Sequence, residues 1–406
     1  MIATNFKQMR KKFFSSLSLN ILLKIKSVII LIFIYPFFDK TQIGVYAIGL
    51  TISGLLSPIL LFNLMDGSNK FFLKNINYAE KLKVAIKQFV SLIIIIISVI
   101  IYYLYFYSDI NPEIIKVLFY LIIYRLLLKS LIYQFEIFQN LLKTFIINII
   151  VEFGSLIFIY LYLSNTNNPN IEIIPFSLFC IVIIIAILRW QTVFNFNFSN
   201  LFKTWQKFKK PIKVSLSLLP VPYLLILIKS TDVLLLNFLI GFDANGIYHI
   251  ANSIALLVAI LSSALSYFWY SSVTLSNSKL INNILNKSIY LYLLLLPLLF
   301  VSFYYTAKFI LTFFFSYDAH LVSAFLAMGY FTLFFTQLFH GYFYSTSQYD
   351  VIVKVSMITF FMNIIFSYIL IKQYGINGAG FGTFLSYVAG YCYCIFVFKR
   401  IKKKSL

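Results

Sequence analysis

Long apolar runs alternate with short polar turns along the whole chain. A bilayer's hydrocarbon is crossed by about 20 apolar residues in a helix. On that measure the pattern predicts about twelve spans. The first six are expected at Phe13–Phe38, Gly44–Met65, Gln88–Tyr107, Ile114–Tyr133, Phe145–Leu163 and Ile173–Trp190. The second six are expected at Val214–Ile240, Gly246–Tyr270, Ser288–Tyr305, Leu321–Tyr344, Val351–Ile371 and Ile376–Phe398.

The pattern recurs. Lys24 and Lys26 sit in an apolar run, Asp39-Lys40-Thr41-Gln42 makes a turn, and Gly44-Val45-Tyr46 opens the next run. Later, Lys229 and Asp232 sit in an apolar run, and Gly246-Ile247-Tyr248 opens the next. Gly44 and Gly246 are 202 positions apart in a chain of 406. Ser16-Leu17-Ser18-Leu19 and Ser215-Leu216-Ser217-Leu218 echo each other in the same order, each after a basic cluster. Two six-helix halves are therefore expected, at 1–194 and 214–406. An even number of spans per half sends both halves into the membrane in the same direction. The repeat is then parallel, with its pseudo-twofold axis along the membrane normal. Between them, residues 195–213 place Phe198, Leu201, Phe202, Trp205 and Phe208 at helical spacing among lysines. That pattern fits an amphipathic helix on the inner leaflet, ended by Pro211.

Composition agrees with a multi-pass membrane protein. Hydrophobic residues make up 61% and charged residues only 11%, against roughly a quarter charged in soluble domains. The net charge of +21 would suit nucleic acid, but the basic residues gather between apolar runs on one side. The positive-inside rule accounts for them, puts both termini in the cytoplasm and leaves no case for a nucleic-acid partner.

The chemistry of catalysis is missing from the sequence pattern. No phosphate-cradling glycine loop, nucleophile elbow or zinc-protease motif is present. His249, His320 and His340 lack ligand spacing, and Cys180, Cys392 and Cys394 lie in apolar runs without metal or redox spacing. The chain reads as a non-enzyme with no catalytic residue, no metal and no cofactor. The expected outer loops are short.

Charges inside spans are the informative residues, because each is costly unless paired or wet. Lys24 and Lys26 point about 200° apart round the first helix, so one can snorkel to the inner surface while the other faces the interior. Lys229 lies deeper, with Asp232 three positions on. They form either a neutralised pair or a cavity cation tuned by a carboxylate. Arg125 and Glu152 lie near the middles of adjacent antiparallel spans and could meet at similar depth, as a packing ion pair or as a relay. Gln337 and His340 either line the inner part of a cavity or serve polar packing. Pro58, Pro220, Pro222 and Pro297 are expected to interrupt their spans. Gly375, Gly378, Gly380 and Gly382 permit close helix contact. A cavity with positive charge and apolar walls suits an anionic, bulky amphiphile.

Several of these stretches resemble a known family. Thr41-Gln42-Ile43-Gly44-Val45-Tyr46, the stretch from Asp232 through Gly241 to Gly246-Ile247-Tyr248, and Tyr374-Gly375-Ile376-Asn377-Gly378-Ala379-Gly380 are similar to the helix-opening patterns of bacterial polysaccharide flippases. These are the Wzx-like (O-antigen and capsule) members of the multidrug/oligosaccharidyl-lipid/polysaccharide (MOP) exporter superfamily. The resemblance implies an all-α, MATE-like fold in the bacterial cytoplasmic (inner) membrane. It implies flipping of a polyprenyl-pyrophosphate-linked oligosaccharide by alternating access, with Lys24, Lys26, Arg125 and Lys229 as cavity cations. Glu152 and Asp232 become candidate coupling carboxylates. The partners implied are the lipid-linked oligosaccharide, membrane lipids, and the polymerase and chain-length proteins of the same pathway. Two alternatives stay open: a polymerase or ligase of that pathway, which would carry a long outer loop, and a cation-coupled small-molecule exporter, which would carry an acidic cavity.

Overall fold

Helix boundaries in the computed structural model follow the apolar runs closely. The structure describes residues 29–60, 93–106, 111–137, 141–188, 220–273, 278–315, 317–346 and 348–404. Lys24, Lys26 and the junction at 195–213 lie outside the described residues. A π-helical turn, Ile30–Ile34, and a 3-10 turn, Tyr35–Phe37, come first. The helices then run α1 (Lys40–Leu60), α2 (Ile93–Phe106), α3 (Pro112–Ile137), α4 (Leu141–Asn165), α5 (Ile173–Leu188), α6 (Pro220–Leu239) and α7 (Phe242–Val273). They continue with α8 (Ser278–Phe314), α9 (His320–Ser345), α10 (Tyr349–Tyr374) and α11 (Ile376–Lys404). Among the described residues there is no strand. The chain is an all-α polytopic membrane protein, as the hydropathy pattern predicts. Six of the described helices are long and apolar enough to cross a membrane by length and composition: α1, α10, α11 and the apolar parts of α4, α8 and α9.

The expectation of broken helices at Pro58 and Pro297 is corrected, because both prolines lie inside unbroken helices, α1 and α8. A membrane helix tolerates proline when neighbouring groups and local adjustments take up the freed carbonyl. The helix α8 also begins ten residues before the predicted Ser288. Its 37 residues span about 55 Å, well beyond the roughly 30 Å hydrocarbon. Pro220 and Pro222 lie within the described part of α6.

The chain divides into two compact units. One takes in residues up to Gly44 and from Leu227 to the C-terminus, the other Val45–Ile226. In the first unit α9 is central and packs on α7, α8 and α11, while α10 pairs with α11. Its apolar stretch is 67% buried, against 17% for α8, so α9 forms the core and α8 faces outward. Phe335, Phe339 and Phe343 repeat every four residues along α9 and are fully buried, stacking a single aromatic seam. Phe339 meets Tyr391 and Phe398 of α11 edge-on. Gly375 alone, at φ 59°, turns the chain from α10 into α11. That conformation is open to glycine without strain. The glycines beyond it are packing residues. A Cβ at Gly378 would strike the Leu370 carbonyl, and one at Gly382 would lie 2.8 Å from the backbone of Ser367.

In the second unit α3 packs on α5 and α4, and α4 packs on α5. Leu126, Val151 and Val182, one from each helix, are fully buried at its centre. Phe119 and Tyr120 of α3 meet Phe176 and Phe179 of α5 in an aromatic cluster. The helix α1 approaches α3 closely because Gly49 faces Val117 and Gly54 faces Arg125.

Candidate functional site

Asp232 is the most enclosed charge-bearing group among the described residues, at 1% exposure. Its carboxylate is caged by neutral donors from three helices. Ser367 of α10 donates to Oδ1 at 2.7 Å and the Asn363 amide donates to the same oxygen at 3.3 Å. Tyr248 of α7 donates its hydroxyl to Oδ2 at 2.7 Å, and Thr383 of α11 donates to the same oxygen. An ionised carboxylate offers about four acceptor positions, so the cage fills them. Asn363 and Ser367 are four apart, which puts them on one face of α10. Each hydrogen bond to a charged acceptor is worth about 1.5–3 kcal/mol, which offsets much of the cost of burying the charge.

The cage is rich in hard oxygen atoms: two carboxylate oxygens, three hydroxyls and the Asn363 carbonyl. The last, Oδ1, is buried and has no hydrogen-bond partner among the described residues. Such a set can take up a proton or a small hard cation. No group of three or more His, Cys, Asp or Glu residues stands together among the described residues, so a soft-metal site has no support there.

Arg125 belongs to the other unit. Its half-buried guanidinium donates from Nη2 to the Leu50 carbonyl at 3.2 Å. Gly54 makes this possible, since a Cβ there would lie 2.9 Å from Nη1. The preceding residue, Tyr124, donates its hydroxyl to Oε1 of Glu152 at 2.9 Å, and Glu152 is only 9% exposed. Tyr46 lies within electrostatic reach of both Glu152 and Arg125. Tyr124 thus holds the Glu152 carboxylate, while Arg125 is tied to the backbone of α1.

The remaining candidates are Lys229, His340 and Gln337. Lys229 is exposed, while Asp232, three residues on, is enclosed. His340 is buried in α9, and its Nε2 has no hydrogen-bond partner among the described residues. Gln337 is half-buried one turn before it. Tyr248, Asn363, Ser367 and Thr383 were not singled out as site residues from the sequence. Their signal is four isolated polar groups inside apolar runs, two of them at a spacing of four, but it has meaning only once Asp232 is known to lie among them.

No protein-family model matches the sequence, and no curated protein matches it. Solved structures do. A lipid II flippase, MurJ, in an inward closed conformation superposes with a TM-score of 0.69 at 13% identity, covering 95% of this chain and 87% of that one. An inward-facing multidrug resistance MATE family transporter of the MOP superfamily gives a TM-score of 0.56 at 13% identity, over 94% of this chain and 100% of that one. A MATE transporter of Vibrio cholerae gives 0.58 at 12% identity, over 98% and 97%. This chain is therefore a multi-pass membrane protein with the fold shared by those lipid II flippase and MATE transporter structures.

Proposed function

We propose that the protein is a flippase for polyprenyl-pyrophosphate-linked oligosaccharide, an O-antigen or capsular repeat unit, in the bacterial cytoplasmic membrane. It works by alternating access, and membrane lipids surround its path. The observation that carries this reading is the half-buried Arg125 inside an apolar helix, in a chain whose fold matches a lipid II flippase over 95% of its length. A guanidinium held by a backbone carbonyl keeps donors free to grip phosphate oxygens, and it does so bidentately. Lys24, Lys26 and Lys229 add positive charge to the same role. Gln337 and His340 supply polar lining. Substrate of this kind is made on the inner leaflet and polymerised on the outer one, so polymerase and chain-length proteins are the expected partners.

Coupling falls to Asp232, with Glu152 as the second candidate. The carboxylate cage binds a proton or a small cation and releases it when the helices that supply its donors, α7, α10 and α11, shift. A small-molecule exporter would need an acidic cavity, and Arg125 speaks against one.

The deciding experiment is a vesicle flipping assay with a lipid-pyrophosphate oligosaccharide. Arg125→Ala and Lys229→Ala are expected to lower the rate while leaving the protein folded. Flipping at the unsubstituted rate in both variants would remove these cations from the mechanism.

A further inference from the structure

Packing between α2 and α3 fades toward the end of α2. Ile93, Ile97, Ile101 and Tyr105 follow one another a turn apart along one face of α2. The first two are buried, Ile101 is half-buried and Tyr105 is exposed. A groove of about 350 Å³ lies where the packing is lost. Ser98, Tyr102 and Tyr105 line it from α2, and Lys116, Phe119 and Tyr120 line it from α3. Ser98 turns its hydroxyl back to the Ile94 carbonyl at 2.8 Å, which leaves the α2 wall apolar up to its tyrosines. The α3 wall is braced from behind, because the rings of Phe119 and Tyr120 lie against Phe176 and Phe179 of α5.

The rim of this apolar groove is charged. Lys116 Nζ lies 3.4 Å from Oε1 of Glu172, in the turn that leads into α5, and the two side chains are 38% and 17% exposed. An ammonium carries three donors, and one loose contact with a carboxylate oxygen does not use them all. The carboxylate is undersupplied in turn. Its Oε1 has no hydrogen-bond partner among the described residues, and burial raises its pKa above the ordinary carboxylate value despite the lysine. A cation and an anion side by side at the mouth of an apolar groove complement a zwitterion that carries an acyl chain. Its phosphate would meet Lys116 and its ammonium Glu172. An acceptor short of donors favours an ammonium with N–H groups over a quaternary one, which has none. The position agrees. Tyrosines gather where a helix meets the membrane surface, and these lie in the last turns of α2 and the first turns of α3. With both termini inside, as the charge pattern predicts, the third predicted span runs outward, so this end belongs to the outer leaflet.

We propose that the α2–α3 groove is a binding site for one outer-leaflet phospholipid whose headgroup carries a primary ammonium, of the phosphatidylethanolamine type. One acyl chain lies between α2 and α3, the phosphate binds Lys116, and the ammonium binds Glu172. The lipid fills the space that the two helices leave and ties them to the turn before α5. The site does not depend on what the protein transports.

Native mass spectrometry of the full chain in detergent tests it, with phosphatidylethanolamine, phosphatidylcholine and a polyprenyl phosphate offered in turn. One phosphatidylethanolamine per chain is expected to be held about tenfold more tightly than phosphatidylcholine, the worth of one hydrogen bond to a charged group. Equal retention of the two would overturn the proposal. Preferred retention of the polyprenyl phosphate would give the groove to a cargo lipid and overturn it as well. These comparisons use the unsubstituted chain and need no variant to fold. Glu172→Gln is expected to erase the preference between the two phospholipids while still binding both. Lys116→Ala is expected to weaken both by about tenfold, and Ser98→Phe to displace both by filling the groove, with helix content checked by circular dichroism. Unchanged phosphatidylethanolamine binding in Lys116→Ala and Ser98→Phe would place the lipid elsewhere on the surface and overturn the site. A preference that survives in Glu172→Gln would overturn the pairing of the ammonium with Glu172.

Discussion

Ser367 donates to the carboxylate of Asp232 across 2.7 Å, and Gly382 is what gives Ser367 its place. A Cβ on Gly382 would lie 2.8 Å from the backbone and hydroxyl of Ser367. The α10–α11 contact and the cage are therefore one feature. Gly382→Ala is expected to push the two helices apart and to destabilise the protein by about 1–3 kcal/mol, as overpacking does. Thermal unfolding in detergent measures this. An unshifted transition would show that the helices have slack there.

Asp232 itself separates stability from coupling. Replacing it with leucine removes the acceptor for Tyr248, Asn363, Ser367 and Thr383 together. Each orphaned buried donor costs about 1–3 kcal/mol, so Asp232→Leu is expected to fold poorly or to melt far below the unsubstituted protein. Asp232→Asn keeps the shape and one acceptor oxygen. It is expected to fold yet lose the response of transport to an imposed proton or cation gradient. A full gradient response in Asp232→Asn would move the coupling role to Glu152.

The Arg125 neighbourhood makes a distinction between charge and geometry. Arg125→Lys retains the charge but loses the planar fork, so flipping is expected to fall less than in Arg125→Ala without returning to the unsubstituted rate. Tyr124→Phe deletes the hydroxyl that donates to Glu152 and is expected to cost about 1–2 kcal/mol, read by denaturation. Equal rates for the lysine and alanine variants would mean that charge alone is not what Arg125 supplies.

Glu172 gives a pH dependence outside the membrane spans. Burial raises its pKa above the ordinary carboxylate value, and Lys116 at 3.4 Å only partly opposes this. The folded protein therefore binds the proton more tightly than the unfolded chain. That contribution to stability is fully present below the unfolded pKa, near 4, and is lost as pH rises through the folded pKa. Glu172→Gln is expected to flatten this part of the stability–pH curve and to change stability at neutral pH by less than about 1 kcal/mol. A curve identical to that of the unsubstituted protein would assign the dependence to another group.

Much of the fold was legible in the apolar runs, because a bilayer demands continuous hydrophobic length and a helix is the cheapest way to satisfy the backbone within it. The start of α5 and both ends of α10 fall within a few residues of the predicted spans. The prolines misled, since a missing donor says nothing about whether neighbouring groups can take up the carbonyl it frees.

The candidate site was only partly legible. Asp232, Arg125 and Glu152 announced themselves, because a charge in an apolar run is rare and costly wherever it lies. Their partners did not. Ser367 and Thr383 are 135 and 151 positions from Asp232, and a single serine or threonine in a membrane helix more often bonds its own backbone, as Ser356 and Thr359 do here. The repeat of Gly44 and Gly246 was visible as a spacing, but a spacing carries no direction. The sequence by itself determined that this chain spans a membrane many times and where its expensive charges lie, because hydropathy and charge are local properties. Only the tertiary structure decided that Asp232 is caged by neutral donors and that the two glycines face each other, because burial and contact depend on which helix faces are turned together.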